Sequence, residues 1–223
     1  FSDGLARVEQ GPALAMPYDG EMKAGLRAVL GGRGEVAMIA DRISRAHAAV
    51  VDKLIADNGL AIDQIDVVGF HGHTILHQPE ARRTCQIGDG ALLAALTRID
   101  VVDDFRTADV MAGGQGAPLA PLYHGALAAA LPRPLAILNI GGVANVTWIG
   151  PNDQMLAFDT GPGNALIDDW VRQCGRGDMD RDGQLARAGK VDHGALTALL
   201  ENGYFDLAPP KSLDRGDFSL PGA

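Results

Sequence analysis

Hydrophobic residues recur at helical spacing through the first sixty positions of the chain. Apolar side chains at intervals of three and four predict a short helix over 17–30 and a long helix over 35–58. The apolar face of the long segment comprises Val36, Ile39, Ile43, His47, Val50 and Leu54. Gly59 follows it and is a suitable residue for ending the helix.

Short apolar runs farther along the chain predict β-strands. They cover 65–70, 99–102, 135–140, 144–149 and 155–158. The runs at 135–140 and 144–149 flank Gly141-Gly142 and therefore predict a hairpin. Further helices are expected over 89–96 (with Asp89 as the cap), 118–131 and 163–174.

The order of these elements predicts an α/β protein. Strands alternate with helices in the first 130 residues, and a strand, a hairpin, a strand and a helix follow. The pattern favours two related α/β halves. Pro132-Arg133-Pro134 breaks a helix just before a new strand, so the predicted division is 1–133 and 134–223.

Composition excludes few classes of function but disfavours two kinds of partner. The chain has 223 residues, with 19 Lys and Arg against 28 Asp and Glu, and a formal net charge of −9. Because no basic cluster is present, nucleic acid and anionic membrane surfaces are poor partners. No apolar run approaches the ~18 residues that a membrane span needs. Cys85 and Cys174 show no metal or redox spacing, which is typical of reduced thiols in a cytoplasmic protein.

The first group of candidate site residues is His71-Gly72-His73-Thr74, which follows a predicted strand. A His-x-His spacing with His77 nearby is compatible with a metal-dependent hydrolase. Such a site needs a further ligand, and the remaining histidines do not lie at predicted strand ends. The pattern therefore favours polar substrate-binding groups at the junction of a strand and a loop.

Glycines mark two further loops. Gly113 to Gly116 precede an alanine-rich helix, where the missing side chains allow a ligand to approach the backbone closely. Asn139 and Asn145 flank Gly141-Gly142 in the predicted hairpin. That hairpin is compatible with a plain turn or with backbone N–H groups that face phosphates.

Asp159 ends a predicted buried strand and precedes Gly161-Pro162-Gly163. One interpretation is a helix N-cap, which is worth about 1 kcal/mol. The other is a general base near the path of a phosphoryl group. Because an N-cap does not require Gly-Pro-Gly between the acid and the helix, the sequence favours the general base.

A set of motifs, in order, resembles a known family. The segments are GFHGHT, QIGDG, DFRTAD, AGGQGAPLAP, LNIGGVANVT, FDTGPGN, ARAGKV and APPKS. They resemble anhydro-N-acetylmuramic acid kinases, which are sugar kinases of the actin/hexokinase-like superfamily with ribonuclease H-like architecture. The joint presence of AGGQGAPL and DTGPGN is specific, whereas either segment alone is not.

The resemblance implies a cytoplasmic enzyme of peptidoglycan recycling that uses ATP and Mg²⁺. Such an enzyme opens the 1,6-anhydro ring of anhydro-N-acetylmuramic acid with water and phosphorylates O6, giving N-acetylmuramic acid 6-phosphate. A homodimer is compatible with it, and no protein metal ligand is expected.

The resemblance also implies roles for individual residues. Asp159 matches the general base. Residues expected to bind the sugar are His71, His73, Thr74, Arg106, Gly161, Gly163 and Asn164. Residues expected to face the nucleotide phosphates are Asn139, Gly141, Gly142 and Asn145.

This chain departs from the family pattern in three places. His73 stands where the family usually has glutamine. The glycine- and serine-rich phosphate loop that opens family members is absent, as is the part that follows APPKS. The sequence therefore predicts a fragment that is inactive as a kinase by itself. The alternatives are the metal-dependent hydrolase, a non-catalytic actin-like sugar-binding protein, and an enzyme that only hydrolyses the anhydro ring.

Overall fold

A computed structural model describes residues 8–213 and residue 218. Contacts divide the chain into two compact units, which meet in sequence between Gly116 and Ala117. The first unit is Glu9–Gly116, and the second contains the described residues from Ala117 onward. This boundary lies earlier in the sequence than the one expected between residues 133 and 134, because the helix before Pro132 belongs to the same unit as the strands that follow it. The assignment of two related halves stays a prediction.

The first unit begins with two helices. Helix α1 is Gly20–Ala28 and helix α2 is Val36–Asp57. Both match the predicted segments, and Gly59 beyond α2 has φ +60°. Strand β1 (Val68–Gly69), hairpin strands β2 (His73–Gln78) and β3 (Arg83–Ile87), helix α3 (Gly90–Thr97), strand β4 (Val101–Val102) and helix α4 (Thr107–Ala112) follow. Asp89 caps α3 as predicted, accepting a hydrogen bond from the Leu92 N–H at 2.9 Å.

The strands of the first unit form two small sheets. β1 pairs with β4 in parallel, and β2 pairs with β3 antiparallel. The predicted strands over 65–70 and 99–102 are thus shorter than expected, since only two residues of each pair in the sheet. The β2–β3 hairpin was not predicted, because β2 alternates polar and apolar residues irregularly and contains a bulge between Thr74 and Leu76.

The core of the first unit lies between its helices and strands. Its buried residues are Met22, Leu26, Val29, Ile39, Ile43, Ala48, Phe70, Ile75, Ile87 and Leu93. The buried Ser44 hydroxyl accepts a hydrogen bond from the Asp89 N–H at 2.7 Å and thereby connects α2 to the start of α3. Because Val68, Ile87 and Val101 pack in or against this core, it positions the segments that follow β1, β3 and β4.

The second unit contains a three-stranded antiparallel sheet in the order β5-β6-β7. Helix α5 is Ala120–Leu127, and the strands are β5 (Leu135–Ile140), β6 (Val143–Ile149) and β7 (Met155–Pro162). Helices α6 (Asn164–Gln173), α7 (Gln184–Ala188) and α8 (His193–Leu200) follow, then a 3₁₀ turn at Gly203–Asp206. The hairpin around Gly141-Gly142 and the helix from Asn164 are confirmed, while α5 ends earlier than expected.

Strand β7 is longer than the sequence predicted. Gly161 and Pro162 still pair with Ala144 and Val143, so the ladder continues past the predicted end at Phe158. Asp159 therefore lies inside the strand and not at its tip. A register shift between Ala144 and Asn145 accommodates the extra residue.

No described helix is both long enough and apolar enough to cross a membrane.

Candidate functional site

Arg106 connects three of the motifs found in the sequence. Its Nε donates to Nε2 of His71 at 3.0 Å, and its terminal NH1 donates to the carbonyl of Gly116 at 2.7 Å. Gly116 is further fixed by its own N–H, which donates to the Asp109 carboxylate at 2.7 Å. The histidine-glycine segment, the arginine segment and the glycine loop thus converge within the first unit.

A cavity of about 230 Å³ lies beside this cluster. His71 lines it, together with Gln86 of β3 and the acids Asp103 and Asp104 after β4. Thr74 reaches the same wall indirectly, since its hydroxyl accepts a hydrogen bond from Gln86 Nε2 at 3.3 Å. Of the predicted sugar-binding residues, His71 lines the cavity. Thr74 bonds Gln86 and Arg106 bonds His71, and both of these partners line it.

Asp103 and Asp104 were not selected from the sequence. They follow the parallel strand β4 directly, and ligands bind preferentially at the carboxyl ends of such strands. That placement was the available signal. The Asp103 carboxylate packs so closely on Gly90 at the start of α3 that a Cβ there would collide with it.

Glycine at position 72 is required by the backbone. Gly72 has φ +67°, and a Cβ there would collide with the carbonyl oxygen of Ile87. The histidine-glycine segment can therefore lie directly against the end of β3 only because residue 72 has no side chain.

Burial lowers the pKa of both histidines in this segment. The pKa of His71 falls through burial first, and the neighbouring Arg106 charge adds to the effect. The pKa of His73 falls through burial and then through the neighbouring His71. Both rings are therefore neutral near pH 7, so His71 Nε2 can accept the hydrogen bond from Arg106.

The same contacts disfavour the metal-hydrolase alternative. The Arg106 guanidinium occupies His71 Nε2 and places a positive charge where a cation would bind. Nδ1 of His77 lies 3.1 Å from the Thr84 hydroxyl. Within residues 8–213, His, Cys, Asp and Glu side chains do not gather in a group of three or more that could bind a metal ion.

In the second unit, three predicted residues form a row across the sheet. Asn139 of β5 pairs with Asn145 of β6, which pairs with Asp159 of β7. Asp159 is buried, with 7% of its surface exposed. Its Oδ2 accepts a hydrogen bond from the Leu213 N–H at 2.9 Å. A buried carboxylate needs such donors, because the ionised form loses its hydration.

The N-cap interpretation of Asp159 is wrong. The residue at the N-cap of α6 is Gly163, which has no side chain to cap the helix. Asp159 instead bonds to Leu213, from a segment more than fifty residues later in the chain.

The glycine turn of the hairpin bonds to the start of α6. The N–H groups of Asn164 and Ala165 donate to the carbonyls of Gly141 and Gly142, at 2.7 and 3.2 Å. The Asn164 side chain donates to the Ile140 carbonyl at 3.1 Å. The N–H groups of the first turn of α6 and the Asn164 side chain therefore already have hydrogen-bond partners in the hairpin. Glycine is favoured at position 163 because the Cβ of any other residue would collide with the Gly141 carbonyl.

Gly161 has φ +155° and faces the ring of Phe205, with 3.1 Å from its ideal Cβ position to the nearest ring atom. The ligand-binding roles expected for Gly161, Gly163, Asn164 and the hairpin residues remain predictions.

The fold and these polar groups define a mixed α/β protein. Its first unit has a polar cavity at strand ends, and the three-stranded sheet of its second unit contains a buried acid. A sequence model of the anhydro-N-acetylmuramic acid kinase family matches residues 4–222. The chain belongs to this family.

Curated relatives agree with that assignment. Anhydro-N-acetylmuramic acid kinases of Paramagnetospirillum magneticum and Rhodospirillum rubrum are 55% and 56% identical, over 97% and 98% of this chain. The one from Acidiphilium cryptum is 49% identical over 98%. These matches cover 61%, 59% and 61% of the relatives, so the chain spans about three fifths of their length.

Proposed function

We propose that the whole protein is an ATP-dependent kinase for anhydro-N-acetylmuramic acid. It opens the 1,6-anhydro ring with water and phosphorylates O6, giving N-acetylmuramic acid 6-phosphate. The observation that supports this most is the buried Asp159, aligned with Asn145 and Asn139 in a chain of this family. The actin-like two-halved architecture and a cytoplasmic role in peptidoglycan recycling belong to the same proposal.

Asp159 is the proposed general base. It removes one proton from the water that attacks C1, and the hydroxide equivalent bonds to C1 as the C1–O6 bond breaks. The O6 electron pair then attacks the γ-phosphorus of ATP, and ADP leaves. The Leu213 N–H bonded to Oδ2 supports this role because it holds the carboxylate in one orientation. General-base assistance contributes roughly 10²–10⁴-fold to rate.

The first unit supplies the proposed sugar contacts. His71, His73, Thr74 and Arg106 offer neutral imidazoles, a hydroxyl and a guanidinium for sugar oxygens and the lactyl carboxylate. Asp103 and Asp104 line the cavity and add acceptors for sugar hydroxyls. The geometry supports this assignment because Arg106 bonds His71, which lines the cavity, and is also bonded to the carbonyl of Gly116.

Asn139, Gly141, Gly142 and Asn145 are the proposed nucleotide-facing residues, at the hairpin end of the sheet. Mg²⁺, which neutralises phosphate charge during transfer, is proposed to bind with ATP through phosphate oxygens and water.

The decisive experiment is an assay of the full-length protein with ATP, Mg²⁺ and the anhydro-sugar, followed by mass spectrometry of the product. We expect N-acetylmuramic acid 6-phosphate together with ADP. N-acetylmuramic acid without phosphate would identify a hydrolase, and sugar binding without turnover would identify a non-catalytic protein. Stoichiometric zinc in the purified protein would favour the metal-hydrolase alternative.

The 223-residue chain by itself is expected to give no phosphorylated sugar in the same assay, because it spans about three fifths of its relatives. Turnover by this chain alone at the full-length rate would contradict that expectation.

A further inference from the structure

Asp159 is held by a later part of the chain, here called the 204–213 segment. The Tyr204 hydroxyl donates to the Asp159 carbonyl at 2.6 Å. The Asp159 N–H donates to the Lys211 carbonyl at 3.0 Å, and the Leu213 N–H donates to Oδ2 at 2.9 Å. The N–H, the carbonyl and the carboxylate of Asp159 are thus all hydrogen-bonded to the 204–213 segment.

The 204–213 segment is itself anchored through Tyr204, which is 9% exposed. The Tyr204 ring lies edge-on to Phe205 and Phe218, with ring centroids 6.3 and 6.1 Å away. The Lys211 ammonium donates to the Tyr204 carbonyl at 2.8 Å and lies 4.4 Å from the centre of its ring. Because these contacts fix the ring, the hydroxyl reaches the Asp159 carbonyl from a defined direction.

We propose that Tyr204 is a positioning residue for Asp159, an inference that rests on the proposed function of Asp159 as the base. Tyr204 acts through the main chain of Asp159, at the carbonyl group. Its hydroxyl sets the backbone of β7 at residue 159 and therefore the direction in which the carboxylate projects. Proton abstraction depends on such alignment, because a displacement of about 1 Å can cost roughly 10²-fold in rate.

The same contacts assign Lys211 to the group of residues that holds Tyr204 in place. A lysine in a kinase is a natural candidate for contacting phosphate. Here its ammonium donates to the Tyr204 carbonyl and lies over the Tyr204 ring. Lys211 thereby stabilises the residue that positions Asp159.

The test is Tyr204→Phe in the full-length protein, which removes one hydroxyl and retains the ring packing. We expect kcat to fall about fivefold or more, with KM for both substrates within about twofold. The matched control is Tyr18→Phe in the first unit, which removes the hydroxyl that bonds His47 Nε2 at 2.8 Å. Its kcat should remain within about twofold of the wild type.

Thermal unfolding separates positioning from folding. Each variant loses the tyrosine hydroxyl and the hydrogen bond described for it, so both melting temperatures should fall while only Tyr204→Phe loses kcat. Wild-type kcat in Tyr204→Phe, or an equal loss in both variants, would overturn the inference and leave the proposed function standing.

A second measurement does not depend on activity. The ¹³C NMR signal of the Asp159 carboxyl group can be assigned by its disappearance in Asp159→Asn. We expect it to shift or broaden in Tyr204→Phe and to stay unchanged in Tyr18→Phe. An unchanged signal in both variants would refute positioning, whereas failure of the wild-type protein to make phosphorylated sugar would refute the proposed function instead.

Discussion

Asp159 combines burial with hydrogen bonding in the way that a well-oriented carboxylate requires. Only 7% of its surface is exposed, and the Leu213 N–H replaces part of the water lost from Oδ2. A hydrogen bond from a backbone N–H offsets part of the free-energy cost of burying a carboxylate. The bond from Leu213 also fixes the direction of the carboxylate that is proposed to accept the proton.

The first prediction concerns this carboxylate. In the full-length protein, Asp159→Asn should lower kcat by roughly 10²–10⁴-fold, because an amide keeps the shape but cannot accept the proton. Sugar affinity, measured by calorimetry, should change little. The control is Asp153→Asn in the same unit, whose carboxylate is 81% exposed and pairs with Arg133. Near-normal turnover of Asp159→Asn would remove this residue from the role.

His73 gives a second prediction at the scale of the residue. Its pKa is lowered by burial and by the neighbouring His71, so the ring is neutral at pH 7 and binds a proton only on acidification. A proton here adds positive charge beside His71, whose ring bonds Arg106. The proposed sugar carries a lactyl carboxylate, so sugar affinity of the full-length protein should strengthen as pH falls from 8 to 5.5.

The measurement is sugar binding across that range, in the wild type and in His73→Gln, which restores the usual family residue. The variant should show a flatter curve. A wild-type curve that is already flat would dispose of the hypothesis.

Among the elements, the junction of hairpin and helix determines the local geometry around β7. The turn between β5 and β6 supplies carbonyl oxygens to the first N–H groups of α6, which have no partners within the helix. The strand ladder continues through Gly161 and Pro162 up to this junction. The sheet and the helix are therefore joined by hydrogen bonds on both sides of Gly163.

The third prediction tests this junction. Gly163→Ala should destabilise the second unit by about 1–3 kcal/mol, because the new Cβ would collide with the Gly141 carbonyl. The matched control is Gly203→Ala, where nothing lies within 4 Å of an added Cβ. Urea unfolding should show a lower midpoint for Gly163→Ala only. Equal midpoints for the two variants would show that the contact is easily relieved.

For the molecule as a whole, stability should depend on pH through the first unit. The pKa values of His47, His71 and His73 are all lowered by burial from the ordinary value of 6.5. The unfolded chain then binds protons more readily than the folded chain below about pH 6.5. Their contribution to stability is present above that pH and is lost on acidification.

Urea unfolding of the 223-residue chain at pH 7.5 and 5.5 should therefore give a lower midpoint at the acidic pH. His47→Gln should reduce the difference, whereas His193→Gln, at an exposed position in α8, should leave it unchanged. A midpoint independent of pH would contradict this account.

Features that depend on neighbouring residues were predictable from the sequence. Helix α2 follows from apolar spacing, the Asp89 cap from an acid before a helix, and the hairpin from two apolar runs around Gly141-Gly142. Each of these rests on contacts between residues close in sequence, so local chemistry was sufficient.

Features that depend on distant partners were missed. In the β2–β3 hairpin, Thr74 pairs with Gln86 and His77 with Thr84. The extension of β7 depends on pairing with Val143 and Ala144. Asp103 and Asp104 follow a predicted strand, but the cavity that they line is also formed by β3, a strand that the sequence did not predict.

By itself, the sequence determined the mixed α/β character, most helices and the family, and it led to the proposal of Asp159 as the base. Only the tertiary structure decided that Arg106 bonds His71 and that the 204–213 segment bonds Asp159. The reason is physical: these hydrogen bonds join residues 35 to 54 positions apart, and folding alone brings such groups within 3 Å.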